Sequence, residues 1–216
     1  MNRKAHWETL YRTTPHDQAS WFQRAFSTSL ALIRSIAPDP ASRIIDIGGG
    51  PSTLVDGLLA AGYGAVTVLD VSPTALAAVA TRLGSTRTRV SWIEADVLEA
   101  DLPSAAFDVW HDRAVFHFLV EPAERARYAE QARRAVKPGG HVIVASFAPD
   151  GPTRCSGLPV VRYAPGALRD ALGAGFILIE SIREEQVTPS GTTQAFVYCL
   201  CRNGNRPTTL PAASPA

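Results

Sequence analysis

The spacing of apolar residues changes near position 40 of the chain. Before it, Trp7, Leu10 and Tyr11 recur at helical spacing, and a second apolar stretch covers residues 21–33. The helix-breaking sequence Pro-Asp-Pro follows at 38–40. Residues 1–38 are therefore predicted to be mainly helical.

After residue 40, short apolar runs alternate with segments of helical periodicity. The sequence Lys-Pro-Gly-Gly at 137–140 is predicted to close a helix just before the fifth strand. Strands that are apolar on both faces are typical of parallel sheets covered by helices on both sides. The five strands predicted in this way cover 43–47, 65–69, 90–93, 107–110 and 141–147.

The end of the chain predicts an antiparallel pair of strands. Apolar runs at 176–182 and 192–201 are joined by a Pro-Ser-Gly turn at 189–191. A parallel crossover needs a dozen or more residues, so these two strands must run in opposite directions. The predicted fold is a seven-stranded, doubly wound, Rossmann-like α/β sheet, mostly parallel, with an antiparallel C-terminal hairpin and helices on both faces.

Length and composition fit one folded domain. The 216 residues are 46% hydrophobic and 19% charged, which provides for a sizeable core and excludes disorder over most of the chain. We expect a single domain over 1–203, made of an N-terminal helical part (1–38) and a Rossmann-like core (39–203). Residues 204–216, rich in Pro, Ser, Thr and Ala, are predicted to form a flexible tail.

Charge and cysteine content limit the possible partners and compartment. The chain carries 21 Lys and Arg against 20 Asp and Glu, so the basic excess typical of nucleic-acid and membrane-surface proteins is missing. No apolar run reaches the roughly 18 residues of a membrane span, and the first residues lack the apolar core of a signal peptide. Three cysteines make a poor disulfide framework, and no His/Cys spacing fits a zinc site. We expect a cytoplasmic protein, a monomer or dimer, without a nucleic-acid, membrane or metal partner.

Acidic residues follow the first four predicted strands. Asp46, Asp70, Asp96 and Asp112 lie at or near their carboxyl ends. In doubly wound sheets ligands bind outside this edge. The four carboxylates therefore indicate a binding site there.

The turn after the first strand contains three consecutive glycines at 48–50, which lets the backbone approach a ligand closely. Thr53 stands where a dinucleotide fingerprint needs a third glycine, and Pro51 removes a backbone donor. The lysine of a Walker-type phosphate loop is also missing. Asp46 beside this turn would repel a pyrophosphate but attract an ammonium or sulfonium group.

An ordered set of motifs resembles class I S-adenosylmethionine-dependent methyltransferases. The set consists of Asp-Ile-Gly-Gly-Gly-Pro-Ser at 46–52, Asp70, Glu-Ala-Asp-Val at 94–97 and Val-Lys-Pro-Gly-Gly-His at 136–141. The closing hairpin fits the same family, and the resemblance extends over about 44–201. It implies the family's Rossmann-like fold, S-adenosylmethionine as cofactor and S-adenosylhomocysteine as product.

The resemblance also implies roles for individual residues. Gly48 and Gly50 would lie against the methionine part of the cofactor with Asp46 near its amino group, and Asp70 would accept both ribose hydroxyls. Val71 would pack on the adenine, while Asp96 and the Val97 backbone would bond its polar edge. Residues 1–38 would form a helical lid over the site. The full expected cofactor-binding set is Tyr11, Trp21, Asp46, Gly48, Gly49, Gly50, Asp70, Val71, Asp96, Val97, Asp112 and Arg113.

Residues 111–118 are the candidate acceptor edge. If a helical turn follows Asp112, Arg113 and His117 share one face at i and i+4. The predicted catalytic residues are His111, Asp112 and His117, although a buried structural role for His117 is an equal alternative. Methyl transfer is an in-line displacement, so a general base is needed only if the acceptor must lose a proton.

The segment 148–163 is long for a loop in a compact domain, which indicates a functional role. We expect it to shape the acceptor pocket through Arg154, Cys155 and Tyr163, together with His117. An exposed Cys155 thiol would suit a soft substrate. Cys199 and Cys201 fall on one face of a strand and are predicted to be buried.

These features favour a methyltransferase that acts on a small-molecule acceptor, such as a thiol or another soft nucleophile. A protein lysine methyltransferase is one alternative, because the resemblance covers such enzymes too. A non-catalytic S-adenosylmethionine-binding protein is another. An oxidoreductase is the least favoured alternative, because Thr53 replaces the third glycine of a dinucleotide fingerprint.

Overall fold

The protein is described by a computed structural model over residues 2–19, 21–23 and 26–204. Helices and strands alternate along most of this length. The helices are α1 (Arg3–Thr13), α2 (Ser27–Ile36), α3 (Leu54–Ala60), α4 (Pro73–Leu83), α5 (Pro122–Ala135) and α6 (Pro165–Leu172). The strands are β1 (Arg43–Ile47), β2 (Ala65–Asp70), β3 (Val90–Glu94), β4 (Phe107–Arg113), β5 (Val136–Phe147), β6 (Arg154–Cys155), β7 (Leu158–Pro159), β8 (Phe176–Val187) and β9 (Thr193–Asn203). Short 3₁₀ helices cover His16–Gln18, Gly84–Arg89 and Phe116–Phe118.

Seven strands form one sheet in the order β3-β2-β1-β4-β5-β9-β8. Strands β1 to β5 are parallel, whereas β9 runs antiparallel to both β5 and β8. The strand order reverses between β1 and β4, so the crevice for a ligand opens at their carboxyl ends. The predicted fold class is confirmed.

Each face of the sheet carries its own helix layer and core. Side chains of β1 alternate between them: Ile44 packs in the core with α2, α3 and α4, and Ile45 packs in the core with α5 and α6. Both isoleucines are fully buried. Burial on both faces explains why the central strands are apolar along nearly their whole length.

The two N-terminal helices pack in different ways. Helix α1 has no buried residue and packs against α4, whereas α2 buries Leu32 and Ile33 in the core. The structure describes 21–23 as non-helical. A lid is therefore confined to α1 and the segment that follows it, and does not include α2. Most of the predicted tail, 205–216, lies outside the described residues.

Local structure differs from the sequence prediction in three places. Strand β5 begins at Val136, because the residues expected to form a turn continue the ladder through an irregularity with Gly139 at φ +78°. No continuous helical turn joins Arg113 to His117: β4 extends to Arg113, and Ala114 at φ 75° turns the chain into a 3₁₀ helix. The segment 148–163 contains the small β6–β7 hairpin.

In the described part of the chain, no helix combines the length and apolar character needed to cross a membrane.

Candidate cofactor and acceptor site

A cleft opens where the carboxyl ends of β1, β2, β3 and β4 meet. It encloses about 1000 Å³, open solvent at its mouth included. Helix α1 covers one side and the β6–β7 segment contributes Cys155. Among the predicted site residues, those that line it are Tyr11, Trp21, Asp46, Gly48, Gly49, Asp70, Val71, Asp96, Val97, His111, Arg113 and Cys155.

The glycine turn forms the floor of the cleft. The backbone N–H groups of Gly48 and Gly49 both donate to Leu69 O, at 2.7 and 3.2 Å. Gly48 has φ +63°, and a Cβ built there would lie 2.1 Å from Val115 Cγ2. A Cβ at Gly49 would lie 2.7 Å from Asp46 Oδ2. Positive φ and the lack of space both require glycine at position 48, and the lack of space alone requires it at position 49.

Asp70 is held at the end of β2 by backbone donors. Its Oδ2 accepts from Gly50 N at 3.0 Å and its Oδ1 from Ser72 N at 2.9 Å. Burial raises the pKa of Asp70 to about 7. Each carboxylate oxygen has a second lone pair, so the group can still accept from two ligand hydroxyls.

Asp46 and His111 form a buried pair between β1 and β4. His111 Nδ1 lies 2.7 Å from Asp46 Oδ1, and His111 Nε2 lies 2.9 Å from Ser29 Oγ on α2. Both ring nitrogens of His111 therefore have hydrogen-bond partners. Asp46 Oδ2 is buried without a hydrogen-bond partner among the described residues. Such an atom is costly to leave unpaired, so it marks a place for a ligand donor.

Asp96 lines the cleft beyond the end of β3, where helix α1 begins. Its Oδ1 accepts from Leu98 N at 2.9 Å, and its Oδ2 lies 3.4 Å from Arg3 Nη1. Arg3 also pairs with Glu124, and Lys4 lies 2.5 Å from Glu94. These ion pairs hold the start of α1 against the strand ends.

Aromatic side chains from three parts of the chain close the cleft. Trp7 stacks on Tyr11 with ring centroids 5.8 Å apart and meets Trp21 and Phe118 edge-on at 6.1 and 5.0 Å. Burial raises the pKa of Tyr11 well above its usual value. The sequence prediction missed Trp7, Phe26 and Phe118 as cleft residues. The Trp7–Tyr11 spacing was the available signal for Trp7, whereas Phe118 lies more than 100 residues away and gave none.

Asp112 does not reach the cleft, which corrects its prediction as a catalytic and cofactor-binding residue. It points to the opposite face of the sheet, because β4 side chains alternate. There it accepts from Val115 N at 2.8 Å, Phe116 N at 3.0 Å and the Tyr128 hydroxyl at 2.5 Å. Burial raises the pKa of Asp112 to about 6. Its carboxylate anchors the turn after β4.

His117 also lies behind the cleft wall. It is fully buried between the rings of Phe118 and Phe147, with centroids at 4.4 and 4.8 Å. Neither ring nitrogen has a hydrogen-bond partner among the described residues. Burial lowers the pKa of His117 to about 3. The geometry supports the structural alternative and speaks against catalytic or substrate-binding roles.

The segment 148–163 supplies one cleft residue. Cys155 lines the cleft but is only 6% exposed, so the expected exposed thiol is wrong. Arg154 is exposed and donates to Gly157 O, and Tyr163 is buried beside Phe116. Neither of these two lines the cleft, because the β6–β7 hairpin and its return turn them away. Cys199 and Cys201 are buried in the apolar core, as predicted.

A structural His117 has a measurable consequence at low pH. The folded pKa of about 3 lies below the ordinary value of 6.5, so the stability due to the neutral ring is present above pH 6.5 and is lost as pH falls. We expect His117→Phe to gain stability relative to wild type, by up to about 1.4 kcal/mol per pH unit between pH 6.5 and 4. Urea unfolding at several pH values measures this difference.

Comparing the two proteins at each pH removes the opposing contribution of Asp70 and Asp112, which is common to both. His141→Phe, at a half-buried histidine, is the control and should show a smaller change. A His117→Phe curve parallel to wild type would contradict the assignment.

Comparison with known proteins relates part of the chain to a known domain family. Residues 44–140 match the family described as methyltransferase domain. An uncharacterized methyltransferase of Mycobacterium tuberculosis is 32% identical over 122 residues, 54% of this chain and 56% of the relative. The chain thus spans little more than half of that relative's length. The eEF1A lysine and N-terminal methyltransferase of Mus musculus is 23% identical over 149 residues, 66% of this chain and 21% of the relative.

The fold has close counterparts among solved structures. The 1,6-didemethyltoxoflavin-N1-methyltransferase of Burkholderia thailandensis, crystallised with 1,6-didemethyltoxoflavin and S-adenosylhomocysteine, superposes with a TM-score of 0.72 at 22% identity. The match covers 94% of this chain and 87% of that one. The sequence resemblance is confirmed over residues 44–140, which match a methyltransferase domain, and the chain has the fold of this solved methyltransferase.

Proposed function

We propose that the protein is an S-adenosylmethionine-dependent methyltransferase that acts on a small-molecule acceptor. The observation that carries the proposal is the pair of carboxylates that flank the glycine turn. Within the described part of the chain, Asp46 keeps an unpartnered buried oxygen, and Asp70 is buried with backbone donors but pairs with no cation. Both are costly in an empty cleft and fit a ligand that brings an ammonium group and two hydroxyls.

The proposed placement of the cofactor follows the order of the strands. Asp46 and the glycine turn on β1 would hold the methionine part, Asp70 on β2 the ribose, and Val71, Asp96 and Val97 the adenine. Asp96 accepts from Leu98 N, and its Oδ2 could accept from one more donor if the 3.4 Å contact with Arg3 Nη1 were broken. S-adenosylmethionine supplies an electrophilic methyl group and leaves as S-adenosylhomocysteine, while the acceptor supplies the electron pair.

The chain's own contribution is to position the reactants and exclude water. The wall formed by Trp7, Tyr11, Trp21 and Phe118 is apolar and covers the cleft. A dry, aligned site is the main requirement for an in-line displacement. Both nitrogens of His111 have protein partners, so neither is free to take a proton directly from the acceptor. This arrangement favours an acceptor that needs little help with deprotonation, such as a thiol or another soft nucleophile.

A protein lysine methyltransferase is the second candidate, favoured by the similarity to the mouse enzyme. Against it, α1 and the aromatic wall cover the cleft where an extended peptide would enter. A non-catalytic S-adenosylmethionine-binding protein would share the cofactor half of the site but give no product.

A methyl-transfer screen separates these possibilities. S-adenosylhomocysteine formation is measured with panels of thiols, amines and hydroxyl compounds, and with a lysine-containing peptide library. The proposal expects turnover with at least one small-molecule panel. Turnover with peptides alone would support the second candidate, and binding of S-adenosylhomocysteine without turnover on any panel would leave a binding protein.

The lid function of α1 is tested through Glu8. Its carboxylate accepts from Ser72 Oγ at 2.6 Å and from Thr74 N at 3.3 Å, at the first turn of α4. Hydrogen bonds from Ser72 and Thr74 lower the pKa of Glu8. We expect Glu8→Gln to weaken S-adenosylhomocysteine binding about three- to tenfold, because a charge-assisted contact contributes of the order of 1 kcal/mol.

Calorimetry measures this affinity, with the exposed Glu99→Gln as the matched control. Limited proteolysis of α1 should become faster in Glu8→Gln and slower again with saturating S-adenosylhomocysteine. Unchanged affinity and unchanged cleavage would show that α1 does not act as a lid.

A further inference from the structure

Arg113 lies at the end of the cleft that the proposed cofactor placement does not use. The cofactor positions follow the sheet from β3 through β2 to β1, whereas Arg113 ends β4 on the opposite side. It pairs in register with Ala145 of β5, which pairs in turn with Tyr198 of β9. Because Ala145 is small, the guanidinium reaches across β5 to β9, away from the glycine turn.

The guanidinium is held rigidly by groups outside the cofactor half. Its Nε donates to the Tyr198 hydroxyl at 3.0 Å, and its Nη2 donates to Gln186 Oε1 and lies 3.7 Å from Glu184 Oε2. Phe196 and Phe26 lie against it, with ring centroids 3.9 and 5.4 Å from Cζ. The side chain is only 3% exposed. Its position is therefore set before any ligand arrives.

The Nη1 atom of the Arg113 guanidinium still has N–H groups that can donate to a ligand. Nη1 has no hydrogen-bond partner among the residues that the structure describes, and Arg113 lines the cleft beside Phe26, Phe118 and Cys155. Arg3, at the adenosine end of the cleft, is already paired with Asp96 and Glu124. The acceptor end thus combines aromatic walls with one preorganised cation.

Resting on the proposed methyltransferase function, we infer that Arg113 Nη1 binds an anionic oxygen of the acceptor, so that the substrate is a small, flat organic acid. Glu184 already provides one negative charge near the same guanidinium, which favours a singly charged carboxylate over a phosphate dianion. The body of the acceptor packs on Trp21, Phe26 and Phe118. Arg113 is then a specificity residue for the acceptor rather than the cofactor contact that its position after β4 indicated.

The test uses benzoate and benzamide, which have the same shape and differ in charge. Each is titrated into wild type saturated with S-adenosylhomocysteine, followed by calorimetry. We expect benzoate to bind at least about tenfold more tightly than benzamide, since a hydrogen bond from the guanidinium to a carboxylate is stronger than one to a neutral amide oxygen. Arg113→Met should remove this preference, and Arg183→Met, at an exposed arginine paired with Asp150, should keep it.

Two controls distinguish a loss of folding from a loss of acceptor binding. Arg113→Met leaves Glu184 without its cation, so the double variant Arg113→Met with Glu184→Gln, which removes both charges, is measured in parallel. S-adenosylhomocysteine affinity should stay within about twofold of wild type in both variants. Equal affinity for the two probes, the lack of benzoate binding, or a preference that survives Arg113→Met would each overturn the inference. Failure of wild type to bind S-adenosylhomocysteine would instead refute the proposed function.

Discussion

Replacing Asp70 by alanine is expected to weaken S-adenosylmethionine and S-adenosylhomocysteine binding by about 100-fold or more. The substitution removes an acceptor for two hydroxyl groups, and hydrogen bonds to a charged group contribute about 1.5–3 kcal/mol each. Asp70→Asn keeps the shape and should still lose most of the affinity. Calorimetry with S-adenosylhomocysteine measures the effect, and Asp170→Asn, at an exposed carboxylate paired with Arg169, is the matched control.

The pH dependence of binding provides a second readout for Asp70. Its pKa of about 7 in the free protein reflects burial, and ligand hydroxyls that bond the carboxylate would lower it. Binding then releases a proton, so the affinity should rise with pH up to about 7 and level off above it. Asp70→Asn should abolish this rise.

Stability distinguishes loss of binding from loss of the fold. Burial disfavours the charged form of Asp70, so Asp70→Asn should melt within a few degrees of wild type. Wild-type affinity in a folded Asp70→Asn protein would refute the cofactor placement.

Gly48→Ala is expected to destabilise the protein by about 2–5 kcal/mol and to abolish cofactor binding. A non-glycine residue in the left-handed region costs about 1–2 kcal/mol, and overpacking adds about 1–3 kcal/mol. The overpacking arises because the new methyl group would lie 2.1 Å from Val115 Cγ2. Urea unfolding gives the change in the free energy of unfolding.

The two causes can be separated with matched variants. Gly191→Ala has φ +83° and nothing within 4 Å of the added Cβ, so it should show the backbone cost alone. Adding Val115→Ala to Gly48→Ala should recover the steric part but not the backbone part. If Gly48→Ala is no less stable than Gly191→Ala, the close packing of the turn against Val115 is wrong.

The sequence by itself determined the sheet and the strand ends where we propose that the cofactor binds. Alternating apolar runs and breakers define the strands, because a strand buried on both faces must be apolar throughout. The glycine turn, Asp70, Asp96 and Val97 lie at or within three residues of a strand's carboxyl end, so chain order alone places them at one edge. The turn and these strand ends all belong to the segment that matches the methyltransferase domain.

Tertiary structure decided which residues after β4 line the proposed acceptor side of the cleft. Residues 111–118 contain two histidines, an aspartate and an arginine, and the sequence could not tell which of them reach the cleft. Side-chain alternation on β4 and the turn at Ala114 send His111 and Arg113 to the cleft and Asp112 and His117 into the core.

Partners far apart in sequence then fix what each of these residues can do. Ser29 forms a hydrogen bond with His111, Tyr128 donates one to Asp112, and Tyr198 accepts one from Arg113. Local periodicity carries no information about such contacts, because they depend on how strands pair and helices pack across the whole chain. The pattern of single residues thus decides where a strand ends, and the packing of distant elements decides which of its side chains are left with a free hydrogen-bonding atom.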